Sequence, residues 1–208
     1  MSTRPGLRLK TFWFKTEQNR DPDQIATAAA AVLWRTANHR IQNLRKGKFS
    51  IEAGPDYANV LVEVLGLMVV VADRIAYRND NGPWREAFTG ALARRVGQLL
   101  QDSLDDLIGP DPDPARGGWG RRFIDRVNLR ADEYACHPYD EGGASFGFLR
   151  HFGDCLQDML PDSDDQRWAV DQAMTVEGPE IIEIMESTMR GLLGQESSPK
   201  RRAGATGD

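Results

Sequence analysis

Thirteen consecutive residues, Val60 to Ala72, are apolar except for Glu63, and the run passes directly into Asp73 and Arg74. A bilayer-spanning helix needs roughly 20 apolar residues, so this segment is too short and too soon charged to cross a membrane. It predicts instead a helix that is apolar around its whole circumference and therefore surrounded by others. Glu63 inside it shares an edge with Arg74 on the helical wheel. Charges are rarely buried alone, so Glu63 is expected to pair with a cation from a neighbouring helix.

The partners of that central helix are legible on both sides. Asp21-Pro22 reads as an N-cap with proline at the first helical position, followed by Ala26, Ala30, Leu33, Ala37, Ile41 and Leu44 at helical spacing. Gly54-Pro55 opens the central helix, and Asn79 to Pro83 turns into a third with Phe88, Leu92, Val96, Leu100 and Leu107 inward. After a loop over Gly109 to Gly118, a fourth stripe carries Phe123, Val127 and Tyr134, and a fifth carries Phe148, Phe152, Leu156 and Met159. Ser163 with Gln166 fits a capping box for a sixth helix, and Gly178-Pro179 starts a seventh.

These elements predict an all-α, single-domain helical bundle of about seven helices over residues 21–194. It is preceded by an extended arm (1–20) in which Leu7 to Phe14 alternate with period 2, and followed by a disordered tail (195–208). The chain has 208 residues, 40% of them hydrophobic and 27% charged, enough to bury a core in one domain. Two cysteines do not make a disulfide scaffold, and no secretion signal is visible, so a reducing, cytoplasmic setting is expected.

The net charge of −5 hides an asymmetry: residues 1–50 are basic and residues 101–208 strongly acidic. Such a chain pairs its ends within one molecule or between subunits, whereas a nucleic-acid binder is more often basic overall. Arg35, Arg40, Arg45, Lys46 and Lys48, with Trp34 and a solvent-facing His39 among them, form the one basic cluster that resembles a nucleic-acid surface. No other helix offers a matching one, so nucleic acid is not the expected partner.

Among motifs, Gly143-Ala144-Ser145-Phe146-Gly147 matches the G-x-S-x-G of a nucleophile elbow, with His151 and Asp154 following. No strand precedes it, and the order of the three residues differs from that of the hydrolase fold. Ser145 is expected to cap the fifth helix instead. Asp162, Asp164 and Asp165 resemble a calcium loop, but Arg167 stands where the glycine belongs. No histidine has a glutamate three positions before it, which excludes the di-iron bundle pattern. Gly117-Gly118-Trp119-Gly120 lacks the spacing of a phosphate or dinucleotide loop.

One cluster carries metal chemistry: Cys136, His137, His151 and Cys155, optionally joined by Glu133 or Asp154. His151 and Cys155 lie four apart, on one face of a helix, and thiolate with imidazole suits zinc or another transition metal. The competing reading places Cys155 on the Phe148–Phe152 side as a small buried thiol.

The leading expectation is a non-catalytic protein-interaction module, adaptor or chaperone-like, acting as a homodimer on an unidentified protein partner, with no cofactor and no membrane. Its contacts are Phe12, Trp13 and Phe14 as anchors and the Arg35, Arg40 and Arg45 face for acidic helices. The alternative is a metal-binding helical protein using the 136–155 cluster.

Overall fold

The computed structural model describes residues 21–46, 49, 51, 54–160 and 166–194. The expected arm with Phe12, Trp13 and Phe14, the expected tail, Lys48 and the Ser163 capping box lie outside the described residues.

The architecture is all-α. Helices α1 (Pro22–Lys46), α2 (Pro55–Asn79), α3 (Pro83–Ile108), α4 (Trp119–Tyr134) and α5 (Phe146–Gln157) are followed by α6 (Gln166–Gln172) and α7 (Gly178–Leu192). Asp21 caps α1, its Oδ1 accepting from Asp23 N at 3.1 Å. Between α4 and α5 the chain forms a minimal antiparallel hairpin, in which Tyr139 opposes Ala144 and Asp140 opposes Gly143.

Helix α2 is the axle of the fold. Every residue from Val60 to Ala72 is buried, and α1, α3, α4, α5 and α7 all pack against it. Its apolar circumference is thereby removed from water on every side. One continuous apolar cluster joins Leu33 and Ile41 of α1, Leu61 and Met68 of α2, Phe88 and Leu100 of α3, Phe123 of α4, Phe152 of α5 and Met185 of α7. None of the described helices is long and apolar enough to cross a membrane.

Among the described residues the rods number six rather than the seven or so expected. Gly178-Pro179 does not break the chain: a π-helical segment, Ala173–Glu177, joins α6 to α7 without interruption. Proline at 179 lacks an N–H and crowds the carbonyl one turn back. The wider π turn, in which Gly178 N donates to Ala173 O, relieves that crowding while keeping the rod intact. Glycine is required at 178, because a Cβ there would stand 2.7 Å from Ala173 O and 2.8 Å from Leu149 Cδ2.

Candidate functional site

Helix α4 presents Arg126 and Arg130, four residues apart, to α2 and continues one turn later into Glu133 and Tyr134. Glu63 of α2, only 2% exposed, meets this row. It accepts two hydrogen bonds from Arg130, Nε to Oε2 at 2.8 Å and Nη2 to Oε1 at 2.9 Å, and Arg126 Nη1 lies 2.7 Å from Oε1. The fork of Arg130 matches the carboxylate plane, which makes the pair bidentate. Burial works against the charge on Arg130, but its bonds to Glu63 and Glu133 outweigh it and raise the pKa above the usual arginine value. The expected cation for Glu63 thus comes from α4. Arg74 donates instead to Tyr134 O at 3.1 Å, closing the C-terminal turn of α4.

The same row leads to the metal-ligand candidates. Arg130 Nη1 donates to Glu133 Oε2 at 2.5 Å, and His151 Nε2 stands 3.2 Å from that oxygen. Cys155 Sγ lies 3.5 Å from His151 Nε2 and 4.0 Å from Nδ1. Glu133, His151 and Cys155 each offer a donor atom, and the three atoms lie within 4.8 Å of one another. Helix α5 starts at Ser145, whose Oγ accepts from Phe148 N at 3.2 Å as the sequence predicts. That start sets the azimuth of α5, so His151 and Cys155 face the end of α4. Tyr134, 1% exposed, packs edge-on to His151 with ring centroids 4.7 Å apart and fixes the imidazole from one side.

The four candidate ligands divide at the turn after α4. His137 stacks on His151, centroids 5.2 Å apart at 26°, without joining the three convergent donors. Cys136 is exposed, and its thiol donates to Glu133 O at 3.1 Å. Asp154 is drawn away by Arg150 at 2.9 Å on the exposed face of α5.

Electrostatics separates what the cluster can do from what it cannot. Burial pushes the Cys155 thiol up to about 12, with Arg130 pulling the other way. A nucleophilic cysteine needs its thiolate near neutral pH, so Cys155 is not poised for attack. His151 also offers the same nitrogen, Nε2, as the nearer one to both Glu133 and Cys155, whereas a relay uses opposite ring nitrogens. Burial raises the Glu133 carboxyl, but the bonds from Arg130 and His151 bring it below its ordinary value, leaving an ionised oxygen donor.

Two members of the basic cluster on α1 are engaged within the chain. Arg40 is 6% exposed and forms ion pairs with Glu180 and, at 3.6 Å, with Glu177. Arg45 donates from Nε to Ile51 O at 2.7 Å and lies over the Tyr57 ring. Arg35 and His39 are exposed. Sequence reasoning missed the role of Arg126 and Arg130; their spacing of four on one face of α4 was the available signal.

Comparison of the chain with protein families, curated proteins and solved structures found no match.

Proposed function

We propose that this is a metal-binding helical protein, in which a divalent transition ion, zinc by preference, is held by Glu133, His151 and Cys155 and clamps α4 to α5. The observation that supports this reading is that an oxygen, a nitrogen and a sulfur donor from two helices lie within 4.8 Å of one another. With bonds of about 2.0–2.3 Å, neighbouring ligand atoms on a tetrahedral zinc are about 3.3–3.6 Å apart. The Glu133–His151 and His151–Cys155 separations, 3.2 and 3.5 Å, are close to those edges. Arg130 and Tyr134 act from behind the donors, the first orienting the carboxylate and the second the imidazole.

Three protein ligands leave a fourth position for water or a further donor. Because binding replaces the proton on a thiol held near 12, affinity rises with pH and loading releases a proton. A reducing, cytoplasmic setting suits this chemistry, since both cysteines are free thiols.

The test is native mass spectrometry and elemental analysis of untagged protein from metal-replete cells under reducing conditions. One zinc per chain, lost in His151→Ala and Cys155→Ser, is expected. A metal-free protein that also fails to take up cobalt(II) with a sulfur-to-metal absorption band would sink the proposal.

A second reading, a homodimeric protein-binding role of adaptor or chaperone type, draws support from Phe146 and Trp168, which are 73% and 68% exposed. The same spectrum reads it: a dimeric mass supports this role, and a monomer at micromolar concentration removes it.

A further inference from the structure

Four arginines line one cleft of about 680 Å³ along α4 and the loop before it: Arg116, Arg121, Arg122 and Arg126. Arg116 and Arg121 reach a carboxylate each, Asp113 at 2.9 Å and Asp125 at 3.0 Å, and both ion pairs are exposed. Such exposed pairs are weakly held and readily exchanged. Arg126 shares Glu63 with Arg130, so one buried carboxylate divides its charge between two guanidinium groups.

Arg122 differs from the other three. It is half-buried, its Nη2 donates to the neutral Asn59 Oδ1 at 2.6 Å, and its guanidinium lies over the Trp119 ring at 5.4 Å. Among the described residues no carboxylate comes within ion-pair distance of it, although Asp111 and Asp113 act on it from farther off. Burial lowers its pKa, and the like charges of Arg116 and Arg126 push the same way. The side chain is therefore fixed in place, partly desolvated and crowded by cations.

The loop forms one edge of the same cleft through Ala115, Arg116 and Gly117. Gly117 and Gly118 take φ of +75° and +90°, a region that favours glycine, and Gly117 turns close against the Arg121 side chain. They deliver the chain into the N-terminus of the 16-residue α4, where Gly120 N donates to Gln101 Oε1 of α3 at 2.8 Å.

We propose that this cleft binds a phosphate-type oxyanion carried by a small molecule, with Arg122 as the fixed central donor and Arg116, Arg121 and Arg126 closing around it. The cleft volume falls within the range of small-ligand sites. Leu129, 48% exposed at one end of it, offers an apolar contact to an organic body on the phosphate. A nucleic acid is not the fitted ligand, since the cleft is short and the chain as a whole carries a net charge of −5.

The experiment is a calorimetric titration of the full-length protein with inorganic phosphate and with phenyl phosphate, against a chloride control at equal ionic strength. Saturable binding of one ligand per chain is expected. Arg122→Gln, which can keep the Asn59 bond, should weaken it by at least about tenfold. Arg116→Gln/Arg121→Gln, on two exposed side chains, should weaken it similarly with an unchanged melting temperature. Arg95→Gln, an exposed arginine on α3 with its own distant partner Asp23, should leave it unaltered. Tighter binding of phenyl phosphate assigns the site to phosphate esters, and equal binding assigns it to the free ion. No saturable binding, equal weakening in Arg95→Gln, or displacement of phosphate by a short oligonucleotide at lower concentration overturns the proposal.

Discussion

Gly97 of α3 and Gly120 of α4 stand backbone to backbone: a Cβ on Gly120 would come 2.9 Å from Gly97 O, and one on Gly97 would come 3.3 Å from Gly120 O. Helix-interior glycine normally gains about 0.5–1 kcal/mol on replacement by alanine. Here the sign reverses. Gly120→Ala should destabilise by about 1–3 kcal/mol through overpacking, and Gly97→Ala by less. Urea denaturation reads both, and a Gly120→Ala protein as stable as the parent would show that α3 and α4 do not approach this closely.

Glu63 holds Arg126 and Arg130 from inside the core. Glu63→Leu removes the shared counter-ion and leaves two guanidinium groups facing apolar surface, which should cost about 3–5 kcal/mol. Adding Arg126→Met and Arg130→Met to Glu63→Leu should recover much of that loss, because a buried charge set can often be exchanged for packed apolar side chains. Equilibrium unfolding of the single and triple variants decides it; a single variant within about 1 kcal/mol of the parent would remove Glu63 from this role.

Metal-free protein should lose stability in alkali. Cys155 titrates near 9.0 in a solvated chain and is pushed up to about 12 in the fold. Its folded value is raised, so the full stability is present below pH about 9 and is lost as pH rises towards 12, where the unfolded chain sheds its proton first. The limiting loss is about 4 kcal/mol from three pH units. Tyr57, Tyr134 and Tyr139, all raised chiefly by burial, add to it above about pH 10. Unfolding free energies across pH 8–12 should therefore fall less steeply in Cys155→Ala than in the parent. With zinc bound the thiol is already deprotonated, so the alkaline loss should shrink and acid should release the ion.

Ser145→Ala should cost about 1 kcal/mol by freeing Phe148 N, and Ser145→Asp should restore it. Because this cap sets the start of α5, the Ser145→Ala protein should also bind cobalt(II) more weakly than Ser145→Asp. Equal metal affinity in the two would separate the cap from the site.

What could be read in the sequence follows the range over which each feature is encoded. The burial of α2 is written in thirteen neighbouring side chains, and the Ser145 cap in a contact three residues long, so both are legible locally. That Glu63 needs a cation is equally local. Which cation supplies it depends on the azimuth of α4, and spacing alone does not carry that angle. The His151–Cys155 clip is a helical spacing, whereas its junction with Glu133 requires the hairpin at 139–144 to fold α5 back on α4. Cys136 and His137 are adjacent in sequence, and a turn sends their side chains to different surroundings. Arg40 belonged by composition to a basic face, yet the acidic first turn of α7 packs there. Gly178-Pro179 carries the signals of a helix start, and nothing in the local pattern distinguishes a fresh start from a π insertion in a continuing rod.

The uniform apolarity of α2 has a cost that Glu63 offsets. A cylinder greasy on every side has no preferred rotation: turned by a third of a revolution it buries nearly the same area, and the hydrophobic effect barely discriminates between the two settings. A single carboxylate engaging two guanidinium groups one turn apart on α4 breaks that degeneracy. It keys one angular setting and one longitudinal position, since a slip of one residue would swing Glu63 about 100° from both partners. Glu63 is thus the index mark of the fold, defining where its most featureless helix must stop turning.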